Sequence, residues 1–193
     1  MESKARLRRE ILEVLQGLPP TARLSASRQV CARLRRQPGW LAAKSVMFFA
    51  PLPDEVDIWP LVEEALAARK IVALPRYARL GRNYTAAIVR DPRADLIPGH
   101  FGIREPHAGC AEISMNRLDL VLVPGVAFDL QGRRLGRGKG FYDRLLADVR
   151  GMKCGVAFDE QLVDEVPVGP QDVPLNCILT PTRWWVCSPA VGS

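Results

Sequence analysis

Between Pro124 and Leu146 the chain reads PGVAFDLQGRRLGRGKGFYDRLL, a stretch rich in residues suited to handling an anion. Gly132, Gly136, Gly138 and Gly140 are interspersed with Arg133, Arg134, Arg137 and Lys139. A backbone without Cβ approaches a ligand closely and tolerates positive φ. Four cations on one loop repel one another unless something anionic sits among them. The pattern predicts an apolar strand over 118–123 before the loop and a helix over 141–149 after it. The free N–H groups at that helix start would add partial positive charge at the same place. The combination reads as a phosphate cradle.

Two common phosphate loops are excluded. The P-loop requires Gly five residues before a Gly-Lys pair, then Ser or Thr. Here position 133 is Arg, and Gly140 follows Lys139. The dinucleotide fingerprint requires its third Gly one place later than Gly140. An exposed basic loop with no ligand would carry the same charges.

Stepping outward, 193 residues suffice for one domain, expected over 1–187 with a flexible tail from Ser188. Hydrophobic residues make up 48% of the chain and mean hydropathy is −0.02, values of a globular protein. No run approaches the ~18 apolar residues of a membrane span. The N-terminal MESKARLRRE lacks an apolar signal core, and Glu2, Glu10 and Glu13 argue against a transit peptide, so a cytoplasmic location is expected. The five cysteines are odd in number and form no CxxC, which argues against a disulfide framework or a zinc ribbon. Cys154 and Cys177 lie in apolar runs and read as small core residues. The spacing of His100 and His107 matches no common metal site.

Net charge is +6, and residues 1–36 account for it with nine Lys or Arg against three Glu. A basic balance suits nucleic acid or a polyanionic small ligand. Few aromatics interleave with those cations, so no base-stacking surface is written there.

The elements that must position the cradle follow from apolar spacing and breakers. Helices are expected over 4–16 and 25–36, the second capped by Ser25. On the first, Lys4 and Arg8 are four apart and share a face, the usual fate of which is solvation. A strand over 45–50 leads into a loop, 51–57, that carries Glu55. Asp57 can cap a helix over 58–68. Strands follow over 71–74 and 84–89, with a Pro75-Arg76-Tyr77 turn between them. There Arg76 faces either an anionic ligand or the sheet edge. Residues 91–117 read as loop. After the cradle come a strand over 153–158, a loop over 166–174, and short strands over 177–180 and 184–186. Strands alternating with helices argue for an α/β domain with a largely parallel sheet, mixed at one edge.

PGVAFDLQGRRLGRGKGFYDRLL resembles the signature of the 5-formyltetrahydrofolate cyclo-ligase family, also called 5,10-methenyltetrahydrofolate synthetases. KARLR, Lys4 to Arg8, is similar to the family's KxxLR element. FGIREP, Phe101 to Pro106, resembles its aromatic-GI-x-EP element, with Arg104 where Pro is usual. The resemblance implies a three-layer α/β/α sandwich and ATP- and Mg²⁺-dependent conversion of 5-formyltetrahydrofolate to 5,10-methenyltetrahydrofolate. It implies ATP binding by Lys4, Arg8, Arg134, Leu135, Gly136, Arg137, Gly138, Lys139, Gly140, Phe141 and Tyr142. Folate contacts fall on Ala50, Glu55, Arg137, Gly138, Lys139, Gly140 and Phe141. Glu55 would pair with the pterin edge through two N–H donors. Asp143 and Asp172 match the Mg²⁺ positions, and Arg137 and Lys139 are the expected catalytic cations. Phe101 lines the folate pocket or anchors its loop. Phe141 lacks a hydroxyl often found there, Gln171 stands where His is frequent, and Ala50 is smaller than the usual residue. The expected partners are ATP and the folate, with or without a polyglutamate tail. The expected state is a monomer with no membrane or nucleic-acid partner. The competing readings are a non-catalytic nucleic-acid-binding relative and a phosphoryl-transfer enzyme acting on another substrate.

Overall fold

The structure is a computed structural model that describes residues 2–78, 83–99 and 102–187, without the side chains of Glu2 and Asn83. His100, Phe101 and the tail from Ser188 lie outside the described residues. The strands are β1 (Ser45–Met47), β2 (Ile71–Ala78), β3 (Asn83–Val89), β4 (Leu96–Pro98), β5 (Arg104–Pro106), β6 (Glu112–Ile113), β7 (Leu120–Val123), β8 (Ala127–Phe128), β9 (Arg134–Leu135), β10 (Met152–Val156), β11 (Cys177–Leu179) and β12 (Trp184–Val186). Among the described residues, eight of them form one sheet in the order β12-β11-β10-β7-β1-β2-β3-β6. The five central strands are parallel, while β12, β3 and β6 pair antiparallel at the edges.

The apolar runs are continuous because both sheet faces are buried. Side chains alternate with period two along a strand. In β7, Leu120 and Leu122 enter one core cluster while Val121 and Val123 enter the other. Val46 and Met47 of β1, and Val72 and Ala73 of β2, divide in the same way. The first face is covered by α1 (Glu2–Gly17), α2 (Pro20–Leu34), α3 (Pro38–Ala42) and α4 (Trp59–Ala67) through Leu15, Leu34, Trp40, Leu61 and Val62. The second face is covered by α6 (Phe141–Leu146) through Leu145 and Leu146. These are the three layers expected. Burying each such Val or Leu is worth about 1.5–3 kcal/mol, so the two faces together anchor every loop that leaves the sheet. Cys154 and Cys177 are core residues, as their apolar context suggested.

Several boundaries differ from expectation for local reasons. Pro20 opens α2 five residues before Ser25, since a first-turn proline has no N–H to waste. Ser25 instead lies inside the helix and accepts from Gln29. Pro38 opens a further short helix, α3, that was not expected. β2 continues through Pro75, Arg76 and Tyr77, where a turn was expected. Its pairing with β1 ends at Met47–Ala73, so Pro75 removes no ladder bond on that side. Segment 91–117 contains α5 (Pro92–Asp95), three short strands and a 3-10 turn, elements too brief to leave a periodic signature. α6 has only six residues, so the dipole expected at its start is weak.

The chain turns from β1 to β2 on one side, and from β7 to β10 on the other. The loops after β1 and β7 therefore leave the same sheet end in opposite directions and open a crevice between them. In open α/β sheets such a reversal is where ligands bind.

Candidate functional site

That crevice is a cavity of about 620 Å³. It is lined by Lys4, Arg8, Ala50, Glu55, Arg134, Leu135, Gly136, Arg137, Gly138, Lys139, Gly140, Phe141, Tyr142, Asp143 and Asp172. Every candidate site residue is thus in one cavity, although they come from four separate segments.

The cationic loop is held by buried polar groups beneath it. Asp129, fully buried, accepts from the amides of Gln131 and Arg133 at 3.0 Å each and from Val166 at 2.8 Å. One carboxylate thereby ties the β8–β9 turn to the segment leading to Asp172. Gln161 donates to the carbonyls of Gly125 and Val126 at 2.7 and 3.2 Å, holding the start of the loop. Gly138 and Gly140 have φ of 94° and 62°, which glycine adopts without Cβ strain. α1 reaches across to the loop, with Arg8 Nε donating to the Gly136 carbonyl at 2.9 Å.

The cations lie in pairs with carboxylates. Lys4 Nζ lies 2.6 Å from Asp172 Oδ2, and Arg134 Nη2 lies 2.8 Å from Asp143 Oδ1. Arg137 Nη2 lies 2.6 Å from Asp54 Oδ1, and its Nε lies 3.5 Å from Glu55 Oε1. Burial opposes charge on Asp172, but the Lys4 ammonium, the Gly169 N–H and the Arg134 guanidinium outweigh it and hold the carboxyl below its ordinary range. Arg134 is only 4% exposed and sits over the Tyr142 ring at 5.5 Å. It anchors the cavity floor, whereas Lys139 is exposed at the rim. Arg133, although one of the loop's four cations, does not line the cavity and pairs with Glu165 at 2.8 Å.

Glu55 sits in the loop after β1. Its own amide donates to the Leu52 carbonyl at 2.9 Å, and the Leu52 amide donates to Glu55 Oε2 at 3.0 Å. The loop is fastened to α2 by Arg23, which donates to the Pro53 carbonyl at 3.0 Å, and by Ser27, which accepts from the Asp57 amide at 3.0 Å. Burial pushes the Glu55 carboxyl up, and the Leu52 N–H and Arg137 only partly oppose it. Burial and the nearby Glu55 carboxylate likewise raise the Tyr142 phenol.

The opposite wall is aromatic. Phe141 makes edge contacts with Tyr84 and Tyr77, ring centroids 5.0 and 5.9 Å away. Glu105 accepts from the Tyr77 amide at 3.1 Å and from Tyr84 Oη at 3.4 Å. Tyr84 and Glu105 line the cavity and were not singled out from sequence. Glu105 belongs to the FGIREP element, the only signal that could have pointed to it. Arg76 covers the sheet edge, donating to the His107 and Cys110 carbonyls at 3.2 and 2.9 Å and pairing with Glu112. Elsewhere, Asp95, His107 and Cys110 bring ligand atoms within 4.8 Å of one another. The Gly109 amide donates to His107 Nδ1 at 2.9 Å, so the neutral ring carries its proton on Nε2, facing Asp95. That tautomer suits an Asp–His contact better than metal ligation.

Fold and site together define an open α/β protein whose crevice combines a cationic glycine loop with an aromatic, carboxylate-bearing wall. The chain belongs to the 5-formyltetrahydrofolate cyclo-ligase family, whose pattern it matches over residues 1–181. It is 33% identical over 174 residues to the 5-formyltetrahydrofolate cyclo-ligase of Escherichia coli, covering 88% of this chain and 96% of that one. The Mycolicibacterium smegmatis cyclo-ligase is 32% identical over 195 residues, covering 94% and 95%. The solved 5,10-methenyltetrahydrofolate synthetase of Aquifex aeolicus superposes with a TM-score of 0.86 at 35% identity, covering 98% and 95%. No helix among the described residues is long and apolar enough to cross a membrane.

Proposed function

We propose that this protein converts 5-formyltetrahydrofolate to 5,10-methenyltetrahydrofolate, consuming ATP and releasing ADP and phosphate. The observation that carries this reading is the single cavity in which the phosphate-type loop and Glu55 meet, Arg137 lying 3.5 Å from Glu55.

The substrate sets the chemical problem. A formamide is a weak electrophile and its oxygen a poor leaving group. The formyl oxygen attacks the γ-phosphorus of ATP, the bond to the bridging oxygen breaks, and ADP departs. N-10 of the same folate then attacks the activated formyl carbon and loses its proton. The carbon–oxygen bond breaks, and phosphate leaves with the former formyl oxygen. Both nitrogens belong to one molecule, so proximity supplies much of the rate.

The protein's task is orientation and charge stabilisation. Arg137 and Lys139, with the amides of Gly136, Gly138 and Gly140, stabilise the transferring phosphoryl group. Lys4 and Arg8 hold ATP phosphates from α1, with Arg134, Leu135 and Tyr142 beneath. Glu55 accepts the pterin's N–H donors, and Ala50 and Phe141 bound the folate. Asp143 and Asp172 line the same cavity as the cationic loop and offer the oxygen donors that Mg²⁺ prefers alongside phosphate oxygens, so the donor types fit. When bound there, Mg²⁺ would supply charge neutralisation on the phosphates. The unit acts as a cytoplasmic monomer built from one domain over 1–187, and takes folate with or without a polyglutamate tail.

The test is absorbance of the methenyl product with 5-formyltetrahydrofolate and Mg²⁺, with and without ATP. Product only with ATP is expected. ATP turnover with no folate product would point to another acceptor. Salt-dependent RNA binding without turnover would point to the nucleic-acid reading.

A further inference from the structure

The residue that faces phosphate and the residue that faces pterin are joined to each other. Arg137 bridges Asp54 at 2.6 Å and Glu55 at 3.5 Å. The two carboxylates are sheltered, at 21% and 10% exposed, while the Arg137 side chain is 37% exposed and can swing outward. Glu55 spends Oε2 on the Leu52 amide and presents Oε1 to Arg137. Arg137 itself stands between Gly136 and Gly138, the latter at φ 94°, so its backbone has little steric hindrance to reorientation.

We infer that Asp54 is a positioning residue that couples the two substrate sites, by holding Arg137 against Glu55 until a phosphate or a pterin replaces one side of the bridge. This rests on the function proposed above. If ATP binds first, Arg137 turns to phosphate and leaves two adjacent carboxylates with no counter-charge in a sheltered loop. If the folate binds first, its N–H donors take over at Glu55 and Arg137 is retained by Asp54 alone. In either order the first ligand breaks the Arg137–Glu55 contact, which the second then need not break. That cost is incurred once, so each substrate strengthens binding of the other by the same factor, as linkage requires. Asp54, with the shorter contact, is what keeps Arg137 beside Glu55 in the free protein, so it sets much of that factor.

The experiment is calorimetric titration of the full chain with the non-transferring analogue AMP-PNP and Mg²⁺, with and without saturating 5-formyltetrahydrofolate. In the unmodified protein the folate should tighten AMP-PNP binding at least about fivefold, within the usual range of such couplings. In Asp54→Asn, AMP-PNP alone should bind more tightly than in the unmodified protein, and the folate's enhancement should be at least threefold smaller. Asp54→Glu, which keeps the charge, should retain most of the enhancement. Weaker AMP-PNP binding by a folded Asp54→Asn protein would mean that Asp54 merely supports the loop, and overturns the inference. So would binding of both ligands with no mutual effect, which leaves the proposed function standing. Failure of the unmodified protein to bind either ligand would overturn both.

Discussion

The two walls of the cavity are built on different physical terms. The cationic wall, from Arg134 to Lys139 with Lys4 and Arg8, carries two exchangeable pairs, Lys4 with Asp172 and Arg137 with Asp54, over a buried one, Arg134 with Asp143. The other wall consists of rings and two sheltered carboxylates. Phe141 stacks edge-on against Tyr84, Glu105 anchors the Tyr77 and Tyr84 end, and Glu55 is clasped by its own loop. Pairs of the first kind can be traded for phosphate oxygens at little cost in packing. In the second wall the rings and Glu105 cannot change partners without breaking burial, and only Glu55 Oε1, beside Arg137, can be traded. A cavity with one exchangeable wall and one fixed wall suits a flexible polyphosphate facing a rigid bicyclic ring.

The largest expected effect lies at the join between the walls. Arg137→Ala should lower kcat by about two to three orders of magnitude, the usual consequence of losing a transition-state donor. Far-UV circular dichroism should remain unchanged, because the side chain is 37% exposed and packs in no core cluster. Turnover close to that of the unmodified protein would remove Arg137 from the chemistry. Next is Glu55→Gln, which keeps shape and removes charge. Hydrogen bonds to charged groups are worth about 1.5–3 kcal/mol, so folate affinity should fall roughly 10- to 100-fold, while AMP-PNP, spared part of the Arg137 bridge, should bind at least as tightly as before. Equal losses for both ligands would mean the fixed wall is not specific to folate.

Glu55 also gives the fixed wall a pH signature. Burial raises its folded pKa above the ordinary carboxylate range, and Arg137 pulls the other way. Its charged, accepting form is therefore present above that raised pKa and lost as pH falls through it. Folate affinity should decline on acidification earlier than an ordinary carboxylate would dictate. In Arg137→Ala the opposing contribution is gone, so the same limb should move to higher pH. A limb unmoved by the substitution would separate Glu55 from Arg137. The smallest effect is expected at the rim of the exchangeable wall. Lys4 is 26% exposed, so its pair with Asp172 is partly screened. Lys4→Met should weaken AMP-PNP binding only about two- to fivefold by calorimetry and leave folate binding unchanged.

The two walls also differed in how far the sequence announced them. The cationic wall is contiguous, dense in Gly and Arg, and flanked by a strand and a helix, so its chemistry is readable locally. The four-residue spacing of Lys4 and Arg8 shows a shared helix face, but its arrival over Gly136 is a tertiary fact carried only by family resemblance. The parallel centre of the sheet was legible because runs buried on both faces are continuously apolar. The mixed edge at β11 and β12 was legible too, but the antiparallel edge at β3 and β6 was not. Strands such as β5 and β6 have two or three residues and no period to detect; β6 pairs with β3, and β5 pairs with β4 in a separate ribbon. Tyr84 and Glu105 reach the cavity from β3 and β5 and so escaped notice. Arg134 read as one more phosphate cation, yet it is buried against Tyr142 and Asp143, a distinction that charge pattern alone cannot make.

The central claim is that ATP and folate react with each other in this one cavity. It is tested most directly by supplying 5-formyltetrahydrofolate with a heavy-oxygen label in its formyl group, together with ATP and Mg²⁺, and following the label by mass spectrometry. The label should appear in inorganic phosphate in step with methenyl product. Label released to water, or phosphate formed without it, would contradict direct phosphorylation of the formyl oxygen.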